Sequence, residues 1–169
     1  MLRVAEFEKV SFKQFKSGWE KTFADHIEEI RELYDTVKLP LRASVGSAGY
    51  DFFTPIAITL DPGEQILIPT GICVKIEDGW FLAIMPRSGL GFKYRLQLDN
   101  TIGVIDSDYY YSNNEGHIFI KITNDSKTNK KLNIKAGEAF CQGVFLPFGI
   151  TLNDDATAIR NGGLGSTSK

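Results

Sequence analysis

From Leu39 onward the chain is written as short apolar runs that turn-forming residues repeatedly cut off. Ile56–Leu60 gives way to Asp61-Pro62-Gly63 and Gln65–Pro69 to Thr70-Gly71, and Ile72–Ile76, Trp80–Met85, His117–Thr123 and Ala139–Leu146 continue the series. Runs this short suit strands, and the prolines and glycines between them interrupt any helix. The pattern predicts an all-β sandwich or barrel.

Residues 1–38 read differently. They hold no proline, a single glycine (Gly18) and many Glu and Lys. Ser11 followed by Gln14 resembles a capping box, and Phe12, Phe15 and Trp19 then recur at helical spacing. Phe23, Ile27, Ile30 and Tyr34 follow i, i+4, i+7, i+11, with Glu28-Glu29 and Arg31-Glu32 mostly on the other side, the stripe of an amphipathic helix. The expected organisation is a helical extension over 1–38, packed on its own domain or at a subunit contact. A β domain over 39–152 and a glycine-rich, flexible segment over 153–169 follow it.

The bulk numbers exclude several classes. At 169 residues, 43% hydrophobic and 24% charged, the chain is one ordinary globular domain with an appendage. A net charge of -2 argues against a general nucleic-acid binder, though a few clustered cations suffice for a small phosphorylated ligand. No uncharged apolar run approaches a membrane span, and the start lacks the apolar stretch of a signal peptide, so a reducing cytoplasm is the expected location. Cys73 and Cys141 sit in apolar runs and are expected in the core. His26 and His117 stand apart, so no His/Cys metal site assembles.

Four segments carry chemistry. Pro86-Arg87-Ser88-Gly89-Leu90-Gly91 follows an apolar strand with a planar cation, a hydroxyl and unobstructed backbone amides, groups that bind phosphate; a plain turn is the bland alternative. Arg160, Gly162-Gly163 and Gly165-Ser166-Thr167 could close over a polyphosphate as a lid, or form a solvated chain end. In Gly103-Val104-Ile105-Asp106-Ser107-Asp108-Tyr109, Asp106 emerges from apolar residues and could take a proton from water. If this segment is a strand, Asp106 and Asp108 share a face and could instead hold Mg²⁺. The bland alternative is an Asp-rich turn with Tyr109 in the core. Gly46–Phe52 places Asp51 in a strand, where an acid is unfavourable without a specific role, unless it satisfies local turn amides.

Together with Ala48-Gly49-Tyr50-Asp51 and Gly137-Glu138-Ala139-Phe140-Cys141-Gln142, these segments resemble, in order, the five motifs of the trimeric dUTP diphosphatase (dUTPase) family, from about Lys38 to the C-terminus. The resemblance implies a jelly-roll-like β-barrel, a homotrimer with active sites shared between subunits, and Mg²⁺-dependent hydrolysis of dUTP to dUMP and pyrophosphate. That reaction removes dUTP and supplies dUMP for dTMP synthesis. It assigns Asp106 as the base that activates water toward the α-phosphorus. Asn100 and main-chain groups from Gly103 to about Phe119 would read uracil, and Tyr109 would lie under the deoxyribose and exclude a 2′-OH. Arg87, Ser88, Gly89 and Gln142 would hold phosphates; Arg160, Gly165, Ser166 and Thr167 would close over the γ end. Asp51 would support a water on Mg²⁺, the metal having no direct protein ligand.

Two features depart from the family pattern. Tyr110–Glu115 lengthen the hairpin tip before Gly116, and Leu164 stands where an aromatic usually stacks on uracil, which forfeits a stacking contribution of roughly 1 kcal/mol. A dCTP-deaminase-like enzyme would need a glutamate base near the pyrimidine, and a non-catalytic, dUTP-responsive regulator would not need Asp106.

Overall fold

The run Phe119–Asn124 shows how the pattern folds: Ile120 and Ile122 point into the core and Lys121 between them faces solvent, the period-2 arrangement of a strand with one buried face. The computed structural model describes residues 1–23 and 29–162. In chain order the elements are β1 (Ala5–Lys9), α1 (Phe12–Thr22), α2 (Ile30–Thr36), β2 (Leu41–Arg42), β3 (Tyr50–Phe53), β4 (Ile58–Leu60), β5 (Gln65–Pro69), β6 (Ile72–Ile76) and β7 (Trp80–Pro86). Then come α3 (Ser88–Tyr94), β8 (Leu96–Leu98), β9 (Gly103–Ile105), a 3-10 helix (Ser107–Tyr111), β10 (Phe119–Asn124), β11 (Leu132–Ile134) and β12 (Ala139–Pro147).

A five-stranded sheet runs β2-β3-β12-β7-β9 and a three-stranded sheet β5-β10-β8, with the pairs β1-β6 and β4-β11 completing the shell. All of these ladders are antiparallel. The long β12 lies between β3 and β7, so the chain's last strand ties an early one to a middle one. Phe52, Ile68, Leu82, Ile84, Ile118, Ile122 and Phe140 fill the interior, and the whole is the mostly-β, jelly-roll-like fold expected. Cys73 and Cys141 are buried free thiols. Burial pushes the Cys73 thiol up to about 12 and raises Cys141 as well. No described helix is long and apolar enough to cross a membrane.

The N-terminal segment is helical in part only. Its first residues form β1, antiparallel to β6 from Ala5↔Ile76 to Lys9↔Ile72. Glu6 and Glu8 alternate with Phe7, whose ring packs on Tyr50, Phe52 and Phe145 at centroid distances of 5.3, 5.7 and 5.6 Å. This short period-2 signal sits directly before a strong helical one, which is why the whole segment reads as helix. Half of the capping box forms: Ser11 Oγ accepts the Gln14 N–H at 3.1 Å, while the Ser11 N–H donates to Glu115 rather than to the Gln14 side chain. The single stripe from Phe23 to Tyr34 is divided instead. Phe23 is the C-cap of α1 and α2 begins only at Ile30, while His26 and Ile27 lie outside the described residues. Helix α1 packs on its own domain, with Phe15 and Trp19 fully buried in the main core.

Candidate active site

Two cavities hold the residues singled out from the sequence. The larger, about 620 Å³, opens between β9, β10 and the loop after β8; Asn100, Gly103, Tyr109, Phe119 and Arg160 line it with Ile84, Ile102 and Ile118. Its wall is shaped by close backbone contact. A Cβ on Gly103 would stand 3.2 Å from Ile84 Cβ, so a side chain there would press β9 away from β7. Asn100 reaches the rim on a tight turn in which Thr101 N–H donates to Leu98 O at 2.9 Å and Ile102 N–H to Asn100 O at 2.7 Å. Thr101 takes the left-handed conformation that closes this turn.

Tyr109 is buried, and its hydroxyl is held from two sides: it donates to His117 O at 2.8 Å and accepts from Asn114 Nδ2 at 2.8 Å. Burial raises its phenol above the ordinary value. The second face of the cavity was not legible in the sequence. Asp99 and Lys121 line it as an ion pair of 2.8 Å, and Thr123 donates to Asp99 at 2.5 Å. Burial alone would raise the Asp99 carboxyl, but the hydrogen bonds from Lys121 and Thr123 outweigh it and hold it below the usual carboxylate range. Lys121 alternates with Ile120 and Ile122, so by pattern alone it is just the solvated face of a strand.

Asp106 follows β9 directly and serves as the N-cap residue of the 3-10 helix, with Asp108 inside that helix. The two carboxylates therefore do not share a strand face, which removes the geometric basis for a strand-borne acidic pair. They converge by another route. Arg160 Nη2 pairs with Asp106 Oδ2, and Arg160 Nε with Asp108 Oδ1 at 2.8 Å, so one guanidinium spans both acids. Arg160 thus reaches carboxylates of its own chain. The segment 153–162 runs back over its own 3-10 helix far enough to make that contact. Leu164, Gly165, Ser166 and Thr167 lie outside the described residues.

The second cavity, about 360 Å³, is lined by Ser47, Gly49, Asp51, Arg87, Ser88, Gly89 and Gln142. Strand register builds it: Asp51 on β3 faces Gln142 on β12, and Gln142 faces Met85 on β7. Arg87 then caps the short helix α3 and its Nε lies 3.0 Å from Asp51 Oδ1. This ion pair is the specific role that an acid inside a strand calls for. Gly49 makes room for the site, since a Cβ there would fall 2.5 Å from Gln142 Oε1. The Gln142 amide meanwhile donates to Pro86 O at 3.2 Å. Cation, hydroxyl, amide and open glycine backbone thus face one concave space, a set suited to phosphate oxygens. Among the described residues no three His, Cys, Asp or Glu side chains cluster in metal-binding geometry. Among the described residues the two cavities share no lining residue.

The dUTPase family model matches residues 35–168. The deoxyuridine 5'-triphosphate nucleotidohydrolase of Lactococcus lactis subsp. lactis is 40% identical over 134 residues, 78% of this chain and 88% of that protein. The crystal structure of the Streptococcus mutans dUTPase aligns with a TM-score of 0.59 at 36% identity, covering 77% of this chain and 95% of that one. A mutant dUTPase of phage phi11 of S. aureus, described for its coordination of a structural Mg(II) ion, aligns over 92% of this chain and 98% of its own with a TM-score of 0.62. At 19% identity that last likeness is one of fold.

Proposed function

The chain belongs to the dUTPase family, and from that premise we propose that it hydrolyses dUTP to dUMP and pyrophosphate, with Asp106 as the base that activates water. The observation that carries the reading is the position of Asp106. It stands next to Ile105 at the edge of the larger cavity and is already engaged by Arg160, which lines that cavity. A carboxylate at the mouth of a nucleoside-sized pocket, beside a cation, can orient a water and accept its proton while neighbouring charge stabilises the phosphates.

In this reading uracil enters between Asn100 and the backbone around Gly103 and Phe119. Main-chain donors and acceptors suit this task because cytosine would set a donor against a donor, and unpaired buried groups can cost ~10⁴-fold. Tyr109 supports the deoxyribose. Arg87, Ser88, Gly89 and Gln142 take the phosphates, and Arg160 with Leu164, Gly165, Ser166 and Thr167 closes over the base and the γ end. Phosphoryl transfer depends mainly on such in-line positioning and charge neutralisation.

The separateness of the two cavities supports a homotrimer in which one copy supplies the nucleoside pocket and another the phosphate cradle. Ile102 and Val104 at the cavity rim, together with Phe148 and Ile150, are exposed apolar groups available for such contacts. Mg²⁺ is the expected cofactor, and when bound it neutralises the triphosphate. The residues fit a metal held chiefly by phosphate oxygens: among the described residues Asp51 is the only carboxylate lining the phosphate cradle, and it is paired with Arg87, which suits contact through water rather than direct ligation. The buried free thiols accord with a reducing cytoplasm.

The test is pyrophosphate release from dUTP, dCTP, dTTP and UTP by the wild-type chain and Asp106→Asn. Selective turnover of dUTP that drops ~10²–10⁴-fold in the variant, with nucleotide binding retained, is expected. Near-normal turnover by Asp106→Asn removes Asp106 from the role, and conversion of dCTP to dUTP would assign the deaminase chemistry instead.

A further inference from the structure

The helical part of the N-terminal extension, which lies outside the resemblance, and the longer hairpin tip touch each other. The Glu115 carboxylate accepts both the Ser11 N–H at 2.6 Å and the Ser11 hydroxyl at 2.7 Å, so the hairpin tip holds the residue that caps α1. Tyr110 adds a second tie, its hydroxyl donating to Glu8 Oε2 at 2.9 Å. On the far side of the tip, Asn114 sends its Nδ2 donor to the Tyr109 hydroxyl. The tip is stiff between these contacts. Glu115 and Gly116 both have positive φ, and a Cβ on Gly116 would stand 2.7 Å from Tyr110 Cα, so only glycine fits there. Further hydrogen bonds, Glu115 N–H to Ser112 O at 2.8 Å and His117 N–H to Asn114 O at 3.0 Å, close the turn.

We propose that Asn114 is a positioning residue for sugar selection, fixing the Tyr109 ring against the nucleoside cavity, and that α1 braces it through the Ser11–Glu115 contact. The proposal rests on the reading of Tyr109 as the surface that excludes a 2′-OH. The physical basis is that a ring excludes a hydroxyl only as firmly as it is held. With both the His117 carbonyl and Asn114 engaged, the Tyr109 hydroxyl cannot move to admit one more oxygen. With only the carbonyl left, the ring gains a hinge about that single bond. Loss of one such hydrogen bond corresponds to a change on the order of fivefold. The effect therefore falls on the ratio of kcat/KM for dUTP over UTP, not on the chemical step.

Three variants test this in pyrophosphate-release assays on both nucleotides. Asn114→Ala should lower the dUTP:UTP ratio about fivefold or more while kcat for dUTP stays within a factor of about three. Asn114→Asp keeps the shape but lacks the donor and draws the Tyr109 hydroxyl off the His117 carbonyl. It should lower the ratio likewise, and it keeps the test sound if the alanine variant folds poorly. In a Tyr109→Phe background, Asn114→Ala should change the ratio no further, because the group it acts on is gone. A wild-type ratio in Asn114→Asp, or full additivity with Tyr109→Phe, overturns the proposal. A wild-type chain that releases no pyrophosphate from dUTP overturns the functional reading first and this inference with it, so the two failures are told apart.

Discussion

Acidification should weaken the fold through one residue, His117, and the amount follows from its surroundings. The imidazole is fully buried, with the Phe119 ring centroid at 4.4 Å and Phe15 at 6.3 Å and the Gly18 face of α1 directly against it. Its Nε2 accepts the Gly71 N–H at 2.9 Å, so the neutral tautomer carries its proton on Nδ1, which has no partner among the described residues. Protonation would break the Gly71 bond and leave a charge in an apolar shell, and burial accordingly lowers the group to about 4. A group depressed below its unfolded value of about 6.5 leaves the unfolded chain holding the extra proton between these two pH values. The His117 contribution is therefore complete above about pH 6.5, falls as the pH drops from there to about 4, and changes no further below, for a total of about 3 kcal/mol. At pH 5 the expected loss is about 2 kcal/mol, which for a urea dependence near 2 kcal/mol per molar lowers the midpoint by about 1 M. Urea unfolding at pH 7.5 and pH 5, at fixed protein concentration so that assembly does not intervene, measures it. His117→Gln, which can still accept from Gly71, should abolish this difference. Equal midpoints for the wild type at both pH values, or an undiminished acid loss in His117→Gln, would refute the reasoning.

Further outcomes follow from single contacts. Truncation after Ile159 removes Arg160 and both of its ion pairs to Asp106 and Asp108. Turnover of dUTP should fall ~10²-fold or more with the oligomer unchanged by gel filtration, and an unaffected rate would show that the tail does not act on the site. Gly49→Ala puts a Cβ against Gln142 Oε1. Because that atom ends a flexible side chain, the amide should swing away, raising KM about fivefold while melting stays nearly unchanged; an unaltered KM counts against Gln142 as a phosphate contact. Gly18→Ala sets a helix-propensity gain of about 1 kcal/mol against overpacking of about 1–3 kcal/mol. The new Cβ would lie 2.9 Å from both His117 Cε1 and Phe119 Cζ, so the melting temperature should drop, and a rise would mean that the α1–β10 contact is loose.

Much of this was legible in the sequence. The strands announced themselves because each buries one face or a short apolar run, and turn residues marked their ends. β10 with Ile120 and Ile122 inward is the plainest case. The candidate site segments were legible because phosphate binding needs particular functional groups in a row, as in Arg87-Ser88-Gly89, which the structure brings to one concave space. β1 was hidden, since five residues of alternation were outweighed by the helical periodicity that follows. Lys121 and Asp99 were hidden too, because a charged residue on the outer face of a strand looks the same whether water or a cavity lies beside it.

Local order and composition are what the sequence determines by itself: where strands start and stop, and which segments carry groups of the kind that bind phosphate or could activate water. These depend on backbone conformation and side-chain chemistry, which act over a few residues. Only the tertiary structure decides which distant segments meet. It sets Asp51 beside Arg87, Arg160 across Asp106 and Asp108, and Glu115 on the cap of α1, joining the two unfamiliar parts of the chain behind Tyr109. Such encounters are fixed by the collective burial of the core and by strand register, and no short stretch of sequence contains that information.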